Sequence, residues 1–332
     1  MSGLLVAVGN SGVTKADLWH WRAHPEVWLL VVGLVLCELY ATRVVGPKVV
    51  PAGEPILTKV QRRCWWAAII TLWIAADWPM HDWAEDYLYS VHMVQHLLLT
   101  MVIPPLVLLA TPVWLARLVL GPDSSHLAYR IYRRLTRPLI AGLLYAAVFA
   151  LGHWPSVVDL QTRSEPFHFG YHVLYVLTSL LMWSCVCGPL KELRISVPAQ
   201  IGYLFLLSIP PTVPGGWLVF ADKPVYKAYV HPFDAFGMGA TTDQQLAGFI
   251  MKVVGGLFLW LLIFVLFFRW HNEQAVVEDE RRRREDEEFW AGVEAAVAFG
   301  VAPRHRPKGE LTFEEVQAEF DRSGAPAEQP PR

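Results

Sequence analysis

Long apolar runs separated by short polar stretches dominate the first 268 residues. A helix needs about 20 mostly apolar residues to cross the hydrocarbon core of a bilayer. Seven segments meet or approach that length, at 26–45, 64–80, 88–110, 138–154, 167–188, 198–220 and 244–268. The second and fourth are short and extend into aromatic flanks, where Trp65, Trp78 and Trp154 suit the membrane interface. The pattern predicts an all-α integral membrane protein of seven transmembrane helices. Helix breakers fall inside three of them: Pro104-Pro105 in span 3, the stretch from Pro210-Pro211 to Pro214-Gly215-Gly216 in span 6, and Gly255-Gly256 in span 7. Broken backbone at membrane depth persists only where protein or a cavity satisfies it. Spans 3, 6 and 7 are therefore expected to be kinked around an outward-facing cleft.

Composition sharpens this picture. The chain of 332 residues is 54% hydrophobic and only 17% charged. Its last 64 residues hold 10 of the 28 Lys and Arg and 15 of the 30 Asp and Glu. Two soluble domains are thereby excluded in favour of an N-terminal segment (1–25), a membrane domain (26–268) and a charged tail (269–332). The tail predicts a helix over about 273–299 and a second near 312–322, opened by Thr312 and Glu315 at capping-box spacing, before a Pro-rich disordered end at 325–332. The first apolar run does not read as a cleaved signal peptide, since Asp17 and Glu26 flank it and no small-residue cleavage site follows. Basic residues between the predicted spans divide 22 against 5, which places the N-terminus outside and the C-terminus in the cytoplasm. A net charge of −2 with no basic domain gives no sign of nucleic-acid binding, and the four Cys form no disulfide framework.

On that topology nine of the twelve His fall at the outer side: His20, His24, His81, His92, His96, His153, His168, His172 and His231. Two pairs, His92/His96 and His168/His172, are spaced i,i+4 at the outer starts of spans 3 and 5. Such residues share one helix face, so each pair can hold one metal ion. His153 ends span 4 at similar depth, His81 precedes span 3, and Met80 and Met93 add thioethers, which favour Cu(I) over Zn(II). Asp77, Asp82, Glu85 and Asp86 lie in or beside a loop without basic residues, where they would concentrate cations and orient imidazoles. Ionisable groups at membrane depth point to function by default. Polar packing between helices and a haem clamped between His92 and His172 are the rival readings. Cys185-Val-Cys187 and Cys64 gather at the inner side and read first as small apolar residues. Lys252, inside span 7, is expected to pair with Asp243 or Asp77, or to snorkel. No nucleophile–base constellation or cofactor fingerprint is present, so the chain does not read as an enzyme.

Several stretches carry a family resemblance: Ser90-Val-His-Met-Val-Gln-His-Leu-Leu-Leu99, Pro104-Pro105, Thr111-Pro112-Val-Trp114, the His168/His172 pair with Trp183 and Gly188-Pro189, and Asp243-Gln-Gln-Leu-Ala-Gly-Phe-Ile-Met251. Over about residues 20–270 the chain resembles the CtaG family, polytopic membrane assembly factors of bacterial haem–copper cytochrome c oxidase. The resemblance implies a seven-helix protein of the bacterial inner membrane that handles copper for the oxidase and meets its subunits, with a copper donor protein as a further partner. The motif positions it marks are His92, Met93, Gln95, His96, His168, His172, Asp243, Gln244, Gln245 and Met251. The Trp-Pro-Met-His-Asp run at 78–82 and the long charged tail depart from the family pattern.

Overall fold

The computed structural model describes residues 19–229 and 237–298, and every regular element among them is helical. His231, most of the N-terminal segment, the second tail helix and the Pro-rich end lie outside the described residues. The helices are α1 (Pro25–Val49), α2 (Lys59–Ala76), α3 (Tyr89–Ala110), α4 (Val113–Leu120), α5 (Leu127–Leu135), α6 (Pro138–Gly152), α7 (Pro155–Arg163), α8 (Glu165–Cys187), α9 (Val197–Leu207), α10 (Thr212–Val219), α11 (Ala240–Phe249) and α12 (Gly255–Ala298). A short helix, Met80–Asp82, and a wide π-type turn, Trp83–Tyr87, lead into α3, and a second wide turn, Ile250–Val254, joins α11 to α12.

All seven predicted segments are helical, but they do not all qualify as spans. Among the described residues, four helices are long and apolar enough to cross a membrane: α1, α3, α8 and the run beginning with α11. A fifth joins them if α5 and α6, bent by 70°, count as one. The 18-residue α2 opens on Lys59, Gln61, Arg62 and Arg63, which dilutes its apolar length. The predicted sixth span is broken into α9 and α10 around Ser208–Pro211. At the other end, the predicted gap between span 7 and the tail helix is absent, because α12 runs unbroken through it.

Large apolar side chains face outward and a set of polar ones is buried beside the apolar core, unlike the usual arrangement in a water-soluble protein. Leu139, Val213 and Phe220 are 72%, 76% and 85% exposed, whereas Gln95, Thr100, Ser179, Asp243 and Gln244 are buried. An apolar exterior with polar groups kept to the interior suits helices whose solvent is lipid. Small residues let α10 and α11 approach closely: a Cβ on Gly248 would sit 2.6 Å from the Gly215 carbonyl oxygen.

The breaks are satisfied by named partners. Pro104 has no N–H to give the Thr100 carbonyl one turn back, and the Trp183 indole donates to that oxygen instead at 2.9 Å. Lys252 serves the α9–α10 break, its Nζ donating to the Ser208 carbonyl at 3.3 Å and to Thr212 Oγ1 at 2.6 Å. This corrects the expected pairing of Lys252 with Asp243 or Asp77. Asp243 lies nine residues earlier on the same helical run, roughly 13 Å along the axis, and Asp77 accepts from the indoles of Trp28 and Trp73.

The chain divides into two compact units, with the boundary between Phe268 and Arg269. In the second unit each arginine of the block Arg281–Arg284 pairs with an acidic residue three or four positions away on its own helix.

Candidate metal centre

The centre begins with the start of α3, which has no side-chain cap of its own. The first N–H groups of a helix need outside acceptors. Asp243 of α11 supplies them, accepting from Tyr89 N at 2.8 Å, Ser90 N at 3.1 Å and Ser90 Oγ at 2.5 Å. Gln244 fixes the neighbouring loop, its amide oxygen accepting from Val225 N and Tyr226 N while its amide nitrogen donates to the Tyr226 carbonyl. The Tyr226 hydroxyl then donates to the His153 carbonyl at 2.9 Å. Gln95 ties α3 to the end of α2 by donating to the Ala75 carbonyl at 2.8 Å. These polar motif residues hold the helices that carry the imidazoles.

One and two turns after the Asp243 cap, His92 and His96 face α8. Candidate ligand nitrogens of His92, His96 and His172 all lie within 4.8 Å of one another. The Nε2 atoms of His96 and His172 are 2.9 Å apart, so one ring donates to the other. His168 lies beside them, its ring centroid 4.3 Å from that of His172 and 5.5 Å from that of His92. His168 Nδ1 donates to Glu85 Oε1 at 3.1 Å, a carboxylate–imidazole pair that fixes the tautomer and leaves Nε2 bearing the lone pair. Burial alone pushes the Glu85 carboxyl up, but the group is held below its ordinary range, the hydrogen bond from His168 being the largest of the opposing causes. His153 Nδ1 donates to the Phe149 carbonyl at 2.7 Å, which likewise leaves its Nε2 as an acceptor. Four ring nitrogens, His92 Nδ1, His96 Nδ1, His153 Nε2 and His168 Nε2, are buried without a hydrogen-bond partner. Unpartnered buried polar atoms are costly, and the four residues that carry these border one cavity, as a ligand-binding centre requires.

Two cavities adjoin the cluster. One is bounded by His92, His96, His153 and His168 together with Tyr89 and Tyr229. The other is bounded by His96 and His153 and by methionines, Met93 among them. The structure thus brings His92, His96 and His172 to one point, with His168 alongside, and sets Met93 and His153 around the adjoining space. His81 is drawn off to one side, 3.4 Å from the Gln95 amide nitrogen and 3.6 Å from Glu85 Oε1. Met80 lies with His81 on the short helix and borders neither cavity. The Cys-x-Cys thiols bond locally, Cys185 Sγ to the Met182 carbonyl and Cys187 Sγ to the Trp183 carbonyl. The particular pairing of Glu85 with His168, and the enclosing Tyr89, Tyr175 and Tyr229, carry no signal in the sequence pattern.

Fold and site together define a helical membrane protein with a polyhistidine centre buried among its apolar helices. The family model of the cytochrome c oxidase caa3 assembly factor matches residues 38–273. The chain belongs to that family of cytochrome c oxidase assembly factors. No curated protein and no solved structure matches it.

Proposed function

We propose that this chain is a multi-pass protein of the bacterial inner membrane that binds copper at the His92/His96/His172 cluster and delivers it to cytochrome c oxidase during assembly. The observation that carries this reading is the convergence of three imidazoles within 4.8 Å, with further buried ring nitrogens left unpartnered around them. Neutral imidazoles suit a transition metal, and adjacent thioethers bias the choice toward Cu(I). In this reading seven helical segments cross the bilayer, the N-terminus and the imidazole cluster face outward, and the charged tail lies in the cytoplasm, as the distribution of basic residues favours. Copper is cargo and the role is non-catalytic. Oxidase subunits receive the ion, and a copper donor protein can supply it.

Haem clamped between His92 and His172 is less well supported, because His172 Nε2 already lies 2.9 Å from His96 Nε2 and the His92 and His172 ring centroids are only 5.7 Å apart. A metal-free scaffold is favoured by one observation, the 2.9 Å imidazole–imidazole hydrogen bond, which knits α3 to α8 without an ion. Substitution separates the two. His92→Ala or His96→Ala is expected to lower both membrane copper and oxidase activity while the protein stays in the membrane at its normal level. Full oxidase activity in both variants would contradict the site.

A further inference from the structure

Three of the seven methionines of the chain, Met93, Met101 and Met251, border the same cavity, as do His96 and His153. All three methionines are nearly fully buried, at 2%, 4% and 3% exposure. Methionine is a common core filler, and packing alone would account for thioethers in a greasy void. Two further observations do not fit packing alone. His153 is locked by its bond to Phe149 in the tautomer whose Nε2 carries a lone pair, and that atom has no partner; His96 Nδ1 is equally buried and equally unpartnered. Met101 and Met251 also each sit in a wide helical turn, Leu98–Val102 and Ile250–Val254. Wide turns are rare, add a residue to the helical repeat and gather at functional sites. Two of them on different helices deliver a methionine to one void.

We infer that this cavity is a second metal site, built for a soft monovalent copper ion and separate from the imidazole cluster. The inference rests on the proposed copper-handling function and extends it. The donor set is neutral, with thioether and imidazole groups and no carboxylate on the wall. Hard divalent ions prefer oxygen, and zinc prefers thiolate, imidazole or carboxylate to thioether. Bringing a monovalent ion among neutral ligands at membrane depth also carries a smaller desolvation penalty than a divalent one. His96 and His153 border both cavities. They form the shared wall, so an ion passes from the nitrogen-rich centre to the sulfur-containing one by exchanging ligands across a single layer of imidazole, with no change of oxidation state.

The test is anaerobic Cu(I) titration of the purified full-length protein against a competing chelator, with X-ray absorption to read sulfur or nitrogen around the metal. Met101→Leu/Met251→Leu keeps volume and apolarity, so folding is retained, and Zn(II) binding at the imidazole cluster checks this in the same sample. The wild type is expected to bind two Cu(I), with sulfur scattering; the methionine variant one, with nitrogen ligands alone; His92→Ala/His172→Ala one, sulfur-bound. Copper bound by nitrogen alone in the wild type, with unchanged stoichiometry in the methionine variant, overturns the second site and leaves the proposed function standing. Sulfur-bound copper that is indifferent to His92→Ala/His172→Ala supports the second site and removes the imidazole cluster from the delivery reading. Failure of every form to bind Cu(I) overturns both.

Discussion

The imidazole cluster and the arginine block of α12 are both dense in ionisable side chains, yet they are organised in opposite ways. Arg281 to Arg284 find their partners one turn away on the same helix, at 2.7–3.7 Å, with side chains largely in the open. Local, exposed and screened pairs of this kind contribute little to stability and need no tertiary structure. The imidazoles come from helices far apart in sequence, meet in the interior, and leave four ring nitrogens without any partner. A region that satisfies itself locally is a solvated surface, whereas a buried region that leaves ring nitrogens unpartnered around one cavity is poised for a ligand.

The largest effect that sharpens this contrast is expected at Asp243. Asp243→Ala strands three buried donors, two backbone N–H groups and the Ser90 hydroxyl. At about 1–3 kcal/mol for each stranded group, the loss is expected to be several kcal/mol, read as a lowered thermal midpoint in detergent together with loss of metal binding. A near-normal midpoint would show that α3 is held by other means. A smaller effect is expected at Glu85. Glu85→Gln removes the carboxylate that orients His168, and metal affinity is expected to fall roughly 10–100-fold while the fold persists. Unchanged affinity would mean that His168 stands outside the ligand set. The smallest effect is expected in the tail: deleting residues 273–332 is expected to leave copper content unchanged. Loss of copper on that deletion would break the comparison at its root.

The two regions also differ in how legible they are. The tail pairing follows from i,i+3 and i,i+4 spacing, and so do His92/His96 and His168/His172, because helical periodicity is local information. Periodicity says nothing of how α3 and α8 are rotated toward each other, and so does not show that His172 rather than His168 completes the close triad with His92 and His96. Met101 carries no signal in the pattern, and Met251, although a motif position, gives no sign of facing the same cavity, because each sits in a wide turn that shifts the face on which later residues emerge. Lys252 was misassigned because the unmet carbonyl it serves, that of Ser208, belongs to a helix break more than forty residues earlier. The membrane character was legible in the apolar runs. By length and composition four of the helices among the described residues qualify as spans, or five with α5 and α6 joined, because the sixth apolar run divides at Ser208–Pro211 and α2 begins with charged residues.

The central claim is that the converging imidazoles bind copper. Metal analysis with an optical spectrum on detergent-purified protein, beside the His92→Ala/His96→Ala variant, tests it most directly. The account predicts at least one copper per chain in the wild type, a loss of copper in the variant, and no Soret band in either. A colourless wild type without metal, or one with a Soret band, would contradict it.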